Sequence, residues 1–341
     1  MAILESIGAS PAEAEVVSRN LLMADMRGIH THGVNFIPKI VDRVENKVLR
    51  VPTELKIVSD KDAVTHIDGN NGFGQVAAEK GMHCAMEHAK KFGVGLSLIR
   101  NTNHIGLLAF YSKMAATEGM IGFAMCNSAP SMAPWGGAEA FFGTNPFSVA
   151  VPVGEGYPVI LDMSTSLVAR GKIRRALALN EKIAKGWALD DEGNPTDDPA
   201  KAMEGTLLPV GGPKGYGMSF FIDLICGLLS GSSFSRDILT FHKPLGPTGV
   251  GAMMAALEIE RFMDRKSFSS LLKSHIESIQ TSQKAEGVDR IYLPGEIETE
   301  EELKSARDGV EIDEPAGKAI DIILKNLGID LRLYEEKMNQ G

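Results

Sequence analysis

Gly72-Phe73-Gly74-Gln75-Val76-Ala77 is the stretch on which the reading of the fold turns, because it has the form GxGxxA, follows a β-type run and opens a helical one. A Rossmann fingerprint uses such glycines to bring backbone N–H groups against a pyrophosphate at a helix N-terminus. It also requires an acidic residue roughly 20 positions further on to hold the ribose hydroxyls. Here the next strand, over 94–99, ends in Arg100, and the sixty residues before the motif read as helical. The glycines are therefore assigned to a tight strand-to-helix turn in an α/β fold of another kind.

Upstream, Ser10-Pro11 is a helix opening, an N-cap followed by proline at the first helical position. Val16, Val17, Leu21 and Leu22 then recur at helical spacing, and the helix is expected to end near Gly28. A second amphipathic stretch carries Ile37, Ile40, Val41 and Val44. From residue 63 strands and helices alternate: strand 63–67, helix 75–92, strand 94–99, helix 107–118, then strands 121–126 and 147–151. Residues 190–196 read as an exposed turn, 218–229 as an apolar helix, and 230–251 as a long polar, glycine-rich connection that could move near a site. A last helix is expected over 267–283, and the charged tail from Glu298 reads as surface helix.

The 341 residues are 44% hydrophobic and 23% charged, which is globular composition. A net charge of −9 with no dense Lys/Arg cluster excludes a nucleic-acid or anionic-membrane surface as the expected partner. Cys84, Cys126 and Cys226 are odd in number and lack CxxC spacing, which points to a reducing compartment without a disulfide framework or zinc knuckle. The N-terminus has no basic leader region, and the apolar run at 218–229 contains Asp223 and is too short to span a bilayer. A cytoplasmic protein is expected.

Candidate chemistry lies at the junctions. Gly211-Gly212-Pro213-Lys214-Gly215-Tyr216-Gly217 presents bare backbone N–H groups and a lysine at a helix start, which makes an anion cradle or a plain glycine-rich loop. His30-Thr31-His32 and Asn103-His104-Ile105-Gly106 place imidazoles beside glycine, where they serve proton transfer near neutral pH or simply hold a turn. HxH is also half a metal site, but nothing at ligand spacing completes it. The other five histidines, His66, His83, His88, His242 and His275, receive no role. Ser128, Asn145 and Asp162 sit in small-residue clusters at strand ends, where open α/β sheets gather both ligand contacts and ordinary turns.

Taken in order, six elements resemble the malate/L-lactate dehydrogenase family over nearly the whole chain. They are 24–34 around His30-Thr31-His32-Gly33, the Asn103-His104 junction, 127–146 through Gly143-Thr144-Asn145-Pro146, 161–166 with Asp162-Met163-Ser164, 212–217 with Lys214, and Leu293-Pro294-Gly295-Glu296. The family includes dehydrogenases of ureidoglycolate and sulfolactate, diketogulonate reductase and piperideine-carboxylate reductase. The resemblance implies a non-Rossmann α/β fold with a mixed central sheet and flanking helices. It also implies an NAD(P)-dependent enzyme acting on a CH–OH group of a small 2-hydroxy acid of malate, lactate, ureidoglycolate or sulfolactate type. The cofactor would be NAD, with NADP the alternative, and the protein a homodimer with shared active sites. By the same resemblance His104 handles the proton and His32 lies beside the substrate, with Thr31, Lys39 and Asn145 as substrate contacts. Ser128, Asp162, Met163, Ser164, Lys214, Gly295, Glu296 and Ile297 would hold the cofactor. The chain would divide into 1–66 packing with 298–341, an α/β region 67–210 carrying cofactor and catalytic motifs, and a cofactor-contacting region 211–297.

One position departs from the pattern. An arginine that pairs with the substrate carboxylate usually stands where this chain has Phe36, and Lys39 is the nearest cation. A phenyl ring cannot replace a bidentate guanidinium. Two other readings stay open at this point: an NADPH-dependent reductase of a cyclic imine carboxylate, and a cofactor-binding protein without catalysis.

Overall fold

The structure, a computed structural model, describes residues 1–332. Helix α1 (Ala2–Ser6) leads into α2 (Pro11–Met26), whose start is closed by a reciprocal cap. Ser10 Oγ accepts from the Glu13 N–H, and a Glu13 carboxylate oxygen accepts from the Ser10 N–H at 2.8 Å. Two short 3-10 turns, His30–His32 and Val34–Phe36, connect α2 to α3 (Ile37–Glu45).

Strands β1 (Lys56–Lys61) and β2 (Val64–Asp68) form an antiparallel pair. Helix α4 (Gly74–Phe92) returns the chain to β3 (Val94–Thr102), which runs parallel to β2. Helix α5 (Leu108–Thr117) precedes β4 (Met120–Cys126), followed by β5 (Phe147–Val151) and β6 (Val159–Met163). Helix α6 (Arg170–Ala178) leads to a small sheet of β7 (Ala188–Leu189), β8 (Pro195–Thr196) and, after α7 (Pro199–Glu204), β9 (Thr206–Leu207). The expected exposed turn at 190–196 is thus a hairpin. Its Asp190 is buried and accepts from the N–H groups of Glu192 and Asn194.

The apolar run after the glycine-rich loop forms α8 (Pro213–Asp223) and continues as a π-helical segment, Leu224–Leu229. Then β10 (Val250–Glu258) enters the centre of the main sheet, whose order is β1-β2-β3-β10-β4-β5-β6. Sequence periodicity gave no sign of this strand. Eight of its nine residues are buried, so its side chains are small or apolar on both faces and no alternation marks it. Ala252, Met254 and Ala256 pack on one face with Met82, Ala85 and Tyr111 of α4 and α5, while Met253 and Ala255 face Ile222 and Cys226 on the other.

Helix α9 (Arg265–Gln280) buries none of its side chains; α10 (Glu296–Asp308) and α11 (Glu314–Asn326) follow. Arg27, at the end of α2, pairs with Glu302 of α10 at 2.7 Å, and Ile320, Ile323 and Leu324 of α11 cover the core around Phe36 and Ile40. Residues 333–341 of the expected tail lie outside the described residues. β1 and most of β2 fall within residues 1–66 and belong to the main sheet.

The pairing makes the sheet mixed, as expected. Strands β2, β3, β4 and β6 run one way and β1, β10 and β5 the other. The carboxyl ends of the four codirectional strands therefore share one edge, and they lead directly into Asn70-Asn71, Asn103-His104, Asn127-Ser128 and Ser164. An edge of this kind is where open α/β sheets gather ligands.

Candidate active site

The turn bearing His32 is organised by Asp25. This buried carboxylate accepts from the Val34 N–H at 2.8 Å and bonds His30 Nδ1 at 3.1 Å. Gly33 lies against it so closely that a Cβ there would stand 1.9 Å from Asp25 Oδ1. His30 is thereby engaged in holding the turn. His32, whose Nδ1 meets Thr31 Oγ1 at 3.0 Å, is left beside His104, with ring centroids 5.3 Å apart.

His104 follows β3 and is braced from three sides. Asn103, fully buried, donates to the carbonyls of Asn71 and Gly72 and accepts from Arg43 Nη2 and Thr248 Oγ1. The first turn of α4 presses on the same backbone, since a Cβ at Gly74 would stand 2.4 Å from the Asn103 oxygen and 2.5 Å from that of His104. Gly72 packs equally tightly on Thr53. These contacts are what the GxGxxA glycines serve. On the far side, the Gly106 N–H donates to His104 Nδ1 at 3.1 Å, so the neutral ring carries its hydrogen on Nε2.

Around the two imidazoles stand rings and cations. Phe36 stacks on His104 at 4.3 Å, Phe241 lies 5.6 Å from His104, and His242 lies 6.1 Å from Phe36. Lys39 Nζ is 4.4 Å from the Phe36 centroid. Arg43, wholly buried, lies over Phe241 and donates to the carbonyls of Lys243, Val48 and Gly246, tying the 241–246 segment to α3. The glycine-rich connection thus brings Phe241 and His242 to the site. Neither was assigned a role from sequence, because nothing local separates them from ordinary loop residues.

Burial and positive neighbours keep these imidazoles neutral. Burial first, then Lys39, pushes His32 down to about 4. Burial, then Lys39, Arg174 and His32, does the same for His242. His104 is held well below the ordinary imidazole range by burial, then by His32, His242 and Lys39.

A second corner gathers most of the remaining candidates. The Asn145 side-chain oxygen accepts from the Ser128 N–H at 3.0 Å and its amide donates to the Ser219 carbonyl. Asn145 is fully buried, so the structure sets it behind Ser128 rather than at the cleft surface. The Thr165 N–H bonds the Thr144 carbonyl, the Val210 N–H bonds the Thr165 carbonyl, and Ser164 Oγ bonds Ser166. These links seat the 211–215 loop against Ser164. Gly211 and Gly212 have φ of +59° and +61°, which glycine adopts without strain. Lys214 is exposed in the first turn of α8, and the exposed Trp135 ring leans on Gly212.

Asp162 Oδ2 accepts from the Ala109 N–H at 2.6 Å, and burial, above all, pushes its carboxyl up to about 6. Met163, next on β6, is half-buried. Two residues before Asp162, the Ile160 N–H bonds the Pro294 carbonyl, which brings Gly295-Glu296-Ile297 alongside. Glu296 pairs with Arg290 and caps the Leu293 N–H, whereas Ile297 is 59% exposed.

The family model for malate/L-lactate dehydrogenase matches residues 1–321. The chain belongs to this family. Among its relatives is the L-sulfolactate dehydrogenase of Methanocaldococcus jannaschii, 36% identical over 98% of this chain and 96% of that protein. The solved structure of the M. jannaschii sulfolactate dehydrogenase superposes with a TM-score of 0.91, covering 97% of this chain and 95% of that one. Ureidoglycolate dehydrogenase (NAD(+)) of Escherichia coli K12 is 33% identical over 89% of this chain and 87% of its own length. The Entamoeba histolytica malate dehydrogenase structure has a TM-score of 0.92 at 29% identity, covering 96% of this chain and 95% of that one. The family's fold is the one described above.

Proposed function

We propose that the protein interconverts a small 2-hydroxy acid and its 2-oxo acid with a nicotinamide cofactor, His104 handling the proton and His32 lying beside the substrate. The observation that carries this is the meeting of His32 and His104, from separate segments, at the ligand-gathering edge of the sheet. Nicotinamide, when bound, supplies or takes up the hydride. Hydride addition to a carbonyl leaves charge on its oxygen, and a ring N–H aimed at that oxygen stabilises it. The Gly106 bond keeps the hydrogen on Nε2 for this purpose. Full protonation of the ring is opposed by Lys39 and the neighbouring imidazoles. An anionic substrate beside Lys39 offsets that opposition and eases proton delivery.

The residues fit a dinucleotide. A helix start preceded by two positive-φ glycines, with Lys214 making no ion pair among the described residues, suits phosphate, and the open Trp135 ring suits stacking. Ser128, Asp162, Met163, Ser164, Lys214 and the Gly295-Glu296-Ile297 turn are the proposed contacts. NAD is favoured over NADP because Asp162 and Glu298, which sense each other's charge, disfavour an additional phosphate in their corner. Thr31 and Lys39 are the proposed substrate contacts.

Assay of NADH oxidation with pyruvate, oxaloacetate, sulfopyruvate and piperideine-2-carboxylate tests the reading. His104→Ala should lower kcat by about 10²- to 10⁴-fold while cofactor affinity stays within a few fold. Unchanged turnover in that variant removes His104 from the mechanism. A preference for the cyclic imine selects the reductase alternative, and cofactor binding without turnover of any substrate selects the inactive one.

The homodimer and the cytoplasmic setting are part of the same proposal. Helix α8 and the segment after it expose Phe220, Phe221, Leu228 and Leu229, and α9 exposes Leu271, a surface suited to a second copy. Sedimentation at one subunit mass would remove the dimer. No helix among the described residues is long and apolar enough to cross a membrane, and the three cysteines are free.

A further inference from the structure

Positive charges gather without counter-ions on one side of the histidine pair. Lys39 lies on the Phe36 ring, and Phe36 lies on His104, so the ammonium stands within one ring of the reacting imidazole. Helix α6 reaches the same place because Gly171 lets it press on the His32 turn: a Cβ there would stand 2.7 Å from Thr31 Cγ2. Arg170 and Arg174 are one helical turn apart on α6 and share a face. Arg170 is fastened, with Nη2 donating to the Gly205 carbonyl at 2.6 Å. Arg174 is exposed at the rim. Among the described residues neither Lys39 nor Arg174 has an acidic partner, although the chain holds 44 acidic and 35 basic residues. Arg174 nonetheless lies near enough to depress Lys39, after burial, and to act on His242. Like charges held together in a partly dry cleft are stabilised by an anion placed between them.

We propose that Lys39 and Arg174 form a two-point anion site that takes over from the absent arginine at position 36 and selects substrates with two acid groups. Lys39, near His104, holds the acid group beside the reacting carbonyl, and Arg174, at the rim, holds the acid group at the other end. Phe36 moves the proximal charge one turn along α3, onto a lysine that offers a point charge rather than a planar fork. The fork is supplied from α6 instead, further out, where only the distal group of a dianion reaches it. This rests on the 2-hydroxy acid reading above.

The test compares kcat/KM for two dianions, oxaloacetate and sulfopyruvate, with that for two monoanions, pyruvate and 2-oxobutyrate. It uses the wild-type chain, Arg174→Gln, Lys39→Gln and Lys39→Arg, and reads oxalate affinity in the presence of NADH as a measure free of turnover. The wild type should favour dianions tenfold or more. Arg174→Gln should lose about 10- to 100-fold on dianions and less than about threefold on monoanions. Lys39→Gln should weaken all four substrates and oxalate, with partial recovery in Lys39→Arg. A ratio of dianion to monoanion unchanged by Arg174→Gln overturns the proposal, as does a wild-type preference for pyruvate. A wild type that reduces none of the four removes the 2-hydroxy acid reading, and the pocket with it. An active wild type indifferent to Arg174 removes the pocket alone.

Discussion

A methyl group at Gly74 would stand within 2.5 Å of two carbonyl oxygens on the segment that carries His104, so this glycine reports on catalysis from outside the cleft. Neither neighbour is a flexible side chain. The Asn103 backbone is tied to Asn71 and Gly72 through its own side chain and to Arg43 and Thr248 beyond. Gly74→Ala must therefore move α4 or displace the His104 backbone. Overpacking of this kind costs about 1–3 kcal/mol, and the expected result is a lowered thermal midpoint with kcat reduced more than cofactor affinity. Wild-type stability and turnover in that variant would show that α4 does not position His104. Asn145 makes the complementary case: its type and setting in sequence suit a ligand contact, yet it is fully buried behind Ser128.

Helix α3 is the element that joins the site to the long connection before β10, through Arg43. Its guanidinium satisfies three carbonyls and the Asn103 side chain. Arg43→Met keeps much of the volume but leaves these acceptors unpaired, which should lower stability by about 2–4 kcal/mol. The released 241–246 segment should also raise KM through Phe241 and His242; a urea titration and steady-state kinetics read the two effects. Elements with a local signature were legible in sequence: α2 from its Ser-Pro cap, α4 and β3 from their periodicity, and the HTHG and NHIG turns from their glycines. The central strand β10 was not, since its partners lie over a hundred residues away and it is buried on both faces. β1 was missed for the opposite reason, all six of its residues being exposed on an edge. Arg174 was equally silent, because only the approach of α6 to Thr31 gives it a place beside Lys39.

Across the whole molecule, a net charge of −9 surrounds a cleft whose cations and buried imidazoles make its stability sensitive to acid. His32, His104 and His242 have folded-state proton affinities below that of a free imidazole, about 4 for His32 and His242. Above pH 6.5 both folded and unfolded chains leave these rings neutral, and they contribute no pH dependence. As pH falls below 6.5 the unfolded chain takes up protons that the folded chain refuses, so stability declines toward pH 4. Asp162 works in the other direction: its carboxyl is raised to about 6 by burial, so the folded chain gains a proton first as pH drops through 6. Three groups against one should leave a net loss between pH 6.5 and 4. Urea midpoints measured across that range should fall for the wild type and fall less for a His32→Gln, His242→Gln double variant. Oxalate with NADH should also flatten the decline, because an anion beside Lys39 and Arg174 raises the affinity of the same imidazoles for protons. A decline equally steep in the wild type, the double variant and the oxalate complex would place the acid sensitivity elsewhere in the chain and deny the link between these cations and the histidines.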